Sequence, residues 1–308
     1  MTGQTYHIPA LLEATVDALD VRPGGVYADA TYGGGGHSRE ILRRLGEGGR
    51  LYGFDQDLDA LANAADDPRF TFVHGNFRYM RNFLVYYGEK RIEGIVADLG
   101  VSFHHFDDGD RGFSFRTDAP LDMRMNRKGE TTAAQIVNQS DEDELTAMLQ
   151  SYTDLKRPRL IARAIVKARA EAPVDTTGRL AAVTEPVLDP RRVKKDMAQV
   201  FQALRITVNG EMDALREFLL STPRILRQGG RLAILTYHSV EDRMVKNFFR
   251  TGDPMKSDAE KDLYGNILTP WRPVIRGAVT AGEEEVLNNP RARSARLRAA
   301  ELVKMPRP

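Results

Sequence analysis

The chain contains no cysteine. That absence excludes a disulfide framework, a thiolate zinc site, a cysteine-ligated iron–sulfur cluster and a thiolate nucleophile. Long apolar runs are also missing. None approaches the ~18 residues that a membrane-spanning helix needs, so no membrane segment is expected. The stretch from Met1 to Leu12 lacks a basic region followed by an apolar core, so no secretory signal is expected and the compartment is read as the cytoplasm. Net charge is scarce too, +1 over 308 residues, so any affinity for a polyanion has to come from local clusters.

Two such clusters are present: Arg191, Arg192, Lys194 and Lys195, and then Arg291, Arg293, Arg296 and Arg298 near the C-terminus. Each could neutralise phosphates or be an ordinary solvated face. The remaining composition, 42% apolar and 28% charged, is that of a globular protein with a buried core, long enough for one large domain or two smaller ones.

The first hundred residues alternate strand and helix patterns. Leu12, Val16 and Leu19 have helical spacing after Pro9. Strands are expected at 26–30, 50–54, 70–74 and 92–97, the second and fourth running into Asp55 and Asp98. Between them lie helical patterns, one capped by Ser38, one over 58–65 and one over 80–87. Alternation of this kind implies a parallel sheet with right-handed crossovers. After Asp98 the pattern changes. A glycine- and aspartate-rich loop runs to about Pro120, helices are expected from Thr131 to Leu188, and one more spans Ala198–Leu220. The next strand signal is Arg231–Tyr237. A gap of that length is too long for a loop, so the fold class is α/β with a mostly helical domain inserted into it. The expected division is 1–106, then an inserted domain at 107–205, then 206–308 with a basic C-terminal tail.

Asp29-Ala30-Thr31-Tyr32-Gly33-Gly34-Gly35-Gly36-His37 follows the first strand and opens a helix. Glycines let a backbone approach a ligand closely, and the helix start offers unpaired N–H groups. Asp55 ends the next strand, where a carboxylate can accept ribose hydroxyls. The plain alternative is a glycine turn. A dinucleotide loop, G-x-G-x-x-G, would need glycine where Ser38 stands. That weakens a nicotinamide-dependent oxidoreductase reading, and Asp29 suits a ligand with a cationic amino-acid part, such as S-adenosylmethionine. Phe77, in His74-Gly75-Asn76-Phe77, stands where an adenine would lie, though a lone aromatic is as often core. Asp98 sits at the carboxyl end of its strand, where open α/β sheets do their chemistry, or serves as a turn acid.

His238-Ser239-Val240-Glu241-Asp242-Arg243 invites a hydrolase reading, but neighbours in sequence rarely form a relay and no G-x-S-x-G elbow exists. A helix cap by Ser239 with His238 lining a pocket fits better.

At this point several segments together resemble the bacterial 16S rRNA (cytosine-1402-N4)-methyltransferases, the RsmH or MraW family. They are His7–Leu12, the glycine cluster through His37, Asp98-Leu99-Gly100-Val101-Ser102, Arg111–Phe115, Leu121–Met125, Phe201–Ile206, Val208-Asn209, His238–Arg243 and Asn289–Ala295. The resemblance implies a class I S-adenosylmethionine-dependent methyltransferase fold, Rossmann-like, with an inserted helical domain. It implies cofactor contacts at Gly34, Gly35, Gly36, His37, Asp55, Phe77 and Asp98. A further family contact, usually glutamine, falls on His105. The implied partner is 16S rRNA in the small ribosomal subunit.

The missing cysteine bears on the acceptor atom. Thiolate-assisted methylation of a pyrimidine carbon and cluster-dependent radical methylation are both closed, so a nitrogen or oxygen acceptor remains. An exocyclic amine such as cytosine N4 attacks once its lone pair is oriented, and Asp98 is the candidate catalytic residue that holds it. Arg124, Arg291, Arg293, Arg296 and Arg298 are the candidate RNA contacts. The competing reading is a non-catalytic RNA-binding or ribosome-assembly factor with a vestigial pocket.

Overall fold

The computed structural model describes residues 9–99, 111–126, 129–265 and 267–305. In chain order the first elements are α1 (Leu12–Leu19), β1 (Val26–Asp29), α2 (Gly36–Leu45), β2 (Arg50–Asp55), β3 (Phe70–His74), α3 (Met80–Tyr86) and β4 (Ile92–Asp98). Helices α4 (Ala133–Gln139), α5 (Glu142–Tyr152), α6 (Pro158–Glu171), α7 (Thr177–Thr184) and α8 (Val193–Asn209) follow. Then come α9 (Glu211–Ile225), β5 (Leu226–Thr236), α10 (Ser239–Thr251), β6 (Trp271–Pro273), β7 (Val279–Thr280), α11 (Glu283–Asn288) and β8 (Arg296–Leu302). The chain divides into two compact units, 1–100 with 213–308, and 101–212.

The first unit is built on one sheet in the order β3-β2-β1-β4-β5-β8-β6, with β7 also on β8. Strands β3 to β5 are parallel, and β8 runs antiparallel to β5, β6 and β7. This is the Rossmann-like class I arrangement expected above. The central strands read as continuous apolar runs because helices cover both faces of a parallel sheet. Ile95, Val96 and Ala97 of β4 and Leu232 to Leu235 of β5 are all fully buried. Strand order reverses between β1 and β4, which makes the carboxyl ends of those two strands the switch point where ligands bind in open sheets.

The second unit has its own core. Leu145, Leu149, Ile161, Ile165, Leu180, Val200 and Leu204 pack across α5 to α8. The 111–125 segment joins this core through Phe113, Leu121 and Met123. Arg111 is 6% exposed and donates to the carbonyls of Arg124 and Met125 at 2.8 and 2.9 Å. The motif residues there are held as structure.

Four expectations are corrected. The helix expected over Ala198–Leu220 is two, α8 and α9, because Gly210 adopts a left-handed φ of 56° and ends the first. The segment expected as a helix at 58–65 is a 3-10 helix, Leu58–Asn63. Ser38 does not cap α2; Gly35 occupies the cap, and Ser38 lies inside the helix. The basic C-terminal tail contains β8, an interior strand of the sheet.

Candidate cofactor and catalytic site

Strands β1, β2 and β4 deliver Asp29, Asp55 and Asp98 to one edge of the sheet, because parallel strands end on the same side. Asp29 is 1% exposed. Its carboxylate accepts from Thr31 N–H at 3.1 Å and from Ser38 Oγ at 2.7 Å. Burial pushes its acid above the usual range, with His37, Ser38 and Thr31 opposing. Asp29 therefore fastens the glycine loop to the first turn of α2. The acid that reaches the surface of the site is Asp98, whose side chain is 20% exposed.

Thr31 to Gly35 cross from β1 to α2. Gly35 has φ 71°, a left-handed conformation that disfavours any side chain. Gly34 is exposed, and a Cβ added there would meet nothing within 4 Å. Packing does not explain that glycine, whereas a ligand lying along the backbone would. His37 is 5% exposed, and its Nε2 is buried without a hydrogen-bond partner among the described residues. Its Nδ1 is 3.9 Å from Asp98 Oδ2. An open glycine, an orphaned buried nitrogen and the first turn of a helix form a cradle that fits the amino-acid end of S-adenosylmethionine.

Asp55 is held by two backbone donors, Gly33 N–H at 2.9 Å and Asp57 N–H at 2.8 Å. Its place at the carboxyl end of β2 is where a carboxylate can accept ribose hydroxyls. Phe77 follows β3, half-buried, its ring 5.2 Å from Phe218 and edge-on to it. One edge of Phe77 is thus core, and stacking would use the remainder. Asp98 is tied into the same site by its backbone N–H, which donates to Thr31 Oγ1 at 2.6 Å. His105 lies outside the described residues.

Tyr237 was not singled out from sequence, where it reads as the end of an apolar strand. Its phenol lies near enough to the Asp98 carboxylate to feel its charge. Burial first, then Asp98, Glu241 and Glu285, push its pKa far above that of an ordinary tyrosine, so it stays protonated. The cap of α10 is His238, not Ser239: His238 and Glu241 form a reciprocal capping box. Asp242 faces Arg298 rather than His238, and no Ser–His–Asp relay forms among these residues.

The arginines expected to meet RNA divide into two groups. Arg298 is 13% exposed and grips Asp242 at 2.7 and 3.1 Å while donating to Gly277 O at 3.0 Å. Arg124 pairs with Asp122 through two 2.7 Å bonds and donates to Gly129 O. Both guanidinium groups are paired within the fold, that of Arg298 nearly buried and that of Arg124 on a side chain 25% exposed. Arg296 is 56% exposed and 3.3 Å from Asp242. Arg291 and Arg293 are exposed on a 3-10 turn that the buried Ala292 pins down.

The chain matches the MraW methylase family over residues 4–303. It is 53% identical over 298 residues to the ribosomal RNA small subunit methyltransferase H of Phocaeicola vulgatus, covering 97% of this chain and 98% of that one. With the enzyme of the same name from Parabacteroides distasonis it is 54% identical over 299 residues, covering 97% and 98%. A solved rRNA methylase from Streptococcus thermophilus aligns over 99% of both chains at 10% identity and a TM-score of 0.39.

Proposed function

This chain belongs to the MraW methylase family, and from that premise we propose that it methylates N4 of a cytidine, position 1402, in the 16S rRNA of the small ribosomal subunit, using S-adenosylmethionine. The observation that carries the reading is the convergence at the switch point. Asp98 closes β4, is bonded to Thr31 of the glycine loop and lies 3.9 Å from His37 of α2. A group that orients an acceptor and a loop that cradles a cofactor are one structure there.

When bound, S-adenosylmethionine supplies a sulfonium methyl group for in-line displacement by the acceptor. Gly34, Gly35, Gly36 and His37 would receive its amino-acid end, Asp55 would accept its ribose hydroxyls, and Phe77 would lie against its adenine. The Asp98 carboxylate accepts an N–H of the cytosine amine, which aims the nitrogen lone pair and favours loss of its proton as the new bond forms. His105 belongs to the same cofactor set by family resemblance. The target base has to leave its stack to reach Asp98. The helical segment at 107–205 is assigned to RNA recognition, and the exposed Arg291 and Arg293, with Arg296, to phosphates. The protein works in the cytoplasm, where small subunits are assembled.

The test is to incubate the purified protein with methyl-labelled cofactor and small subunits that lack the modification. Label enters the RNA, and entry weakens steeply as salt rises. Binding of the cofactor with no label on subunits or on naked rRNA contradicts the reading and leaves a binding role.

A further inference from the structure

Leu11 is a bulky residue with a left-handed backbone, φ 52° and ψ 36°. That conformation is costly for any side chain but glycine's, and it persists only where the surroundings impose it. Two contacts impose it here. The Leu11 N–H donates at 2.6 Å to Oε1 of Glu285 on α11, 274 residues away in the chain. The Leu11 side chain, 7% exposed, belongs to the apolar cluster that includes Ile41, Leu42 and Leu45 of α2. Two residues upstream, Pro9 lies against Gly36, the first residue of α2. A Cβ at Gly36 would come within 2.5 Å of Pro9 Cγ, and no positive φ requires glycine there. The bare Cα of Gly36 seats Pro9. One line of contacts thus runs from Glu285 through Leu11 and Pro9 to the turn of α2 that carries His37.

We infer that Glu285 is a positioning residue for the cofactor site: by holding the strained turn at Leu11 it keeps Pro9 seated on Gly36 and so fixes the first turn of α2. This rests on the assignment of the glycine loop and His37 to the amino-acid end of S-adenosylmethionine. The open N–H groups of a helix start grip a ligand only when they point together, and a turn already held in place spares the ordering that binding otherwise requires. Glu285 suits that task because a carboxylate makes a stronger bond to a backbone N–H than a neutral acceptor does. Without that bond Leu11 relaxes to a negative φ, and the direction of the chain at Pro9 changes.

The experiment measures the Kd for S-adenosylmethionine by calorimetry, and the melting temperature without cofactor, on the full chain. The proteins are wild type, Glu285→Ala, Glu285→Gln, Pro9→Ala, the double variant of Glu285→Ala with Pro9→Ala, and Gly34→Ala. The expected result is a Kd raised about 10-fold in Glu285→Ala at a temperature where it is fully folded, part of the worth of one hydrogen bond to a charged group. Glu285→Gln keeps an oxygen that accepts from Leu11 N–H, so its Kd stays within about threefold of wild type. Pro9→Ala leaves the Glu285 bond in place, removes the contact with Gly36 and raises Kd by a similar factor. The double variant binds no more weakly than the weaker single one, because both act through the same turn. A lowered melting temperature in Glu285→Ala with a wild-type Kd marks a purely structural bond and overturns the inference. A wild-type Kd in Pro9→Ala overturns it too, and that variant keeps the test decisive if Glu285→Ala does not fold. Additive losses in the double variant overturn it as well, since they mark two independent effects. An unchanged Kd in Gly34→Ala instead overturns the loop assignment on which the inference rests.

Discussion

Thr31 Oγ1 accepts the backbone N–H of Asp98 at 2.6 Å, so the residue that closes β4 is fastened to the loop that leaves β1. Loop and strand end cannot move independently. Thr31→Val keeps the shape but leaves the Asp98 N–H without that acceptor, a destabilisation of about 1–3 kcal/mol. Thr31→Ser restores the oxygen and most of the loss. Thermal denaturation of the three proteins checks this, and equal stability of the valine variant and wild type contradicts it.

The glycines of the loop separate into structural and ligand-facing positions. At Gly35 the backbone is left-handed, and a Cβ would sit 2.6 Å from the Tyr32 hydroxyl. Gly35→Ala is expected to lose about 1–2 kcal/mol of stability. Gly34→Ala meets nothing in the fold, so its melting temperature stays that of wild type while its affinity for S-adenosylmethionine falls. Calorimetric titration of both variants tests the split. Unchanged affinity in Gly34→Ala removes that residue from the cofactor site.

Arg298 and Arg293 should behave oppositely. Arg298→Ala strips Asp242 of its closest partner and costs about 1–3 kcal/mol of stability, softened by the remaining Arg296. Arg293→Ala leaves stability within about 0.5 kcal/mol. It lowers affinity for rRNA and reduces the salt dependence of binding by about one unit of slope, as loss of one phosphate contact does. The reverse pattern sinks the assignment.

Glu40 gives a pH signature. Bonds from Arg43 hold its carboxyl down to about 2, against the effect of burial and with Arg44 adding to the shift. A carboxyl lowered in the folded state adds stability above its ordinary range near 4.5, and that stability is lost as pH falls towards 2. Melting temperature measured across this window should fall less steeply in Glu40→Gln than in wild type. Parallel curves contradict the coupling.

The parallel half of the sheet was legible because its strands are short apolar runs that close on an acid or a histidine: Asp29, Asp55, His74 and Asp98. The loop glycines and the position of Asp55 pointed to the cofactor site for the same reason. Strand β8 was not legible. In Arg296-Leu297-Arg298 the charges alternate with an apolar residue and read as a basic tail until Asp242, distant in sequence, is seen to neutralise them. The break between α8 and α9 depends on the conformation of a single glycine inside a helical pattern. Tyr237 was hidden because it comes near Asp98 only through the pairing of β4 with β5, which no local pattern encodes.

The most direct measurement is nucleoside mass spectrometry of 16S rRNA from unmodified small subunits treated with the protein and S-adenosylmethionine, wild type beside Asp98→Ala. The account predicts N4-methylcytidine with wild type, and none with Asp98→Ala although that variant still binds the cofactor. A methyl group on any other atom, or N4-methylcytidine formed at the wild-type rate without the Asp98 carboxylate, contradicts it.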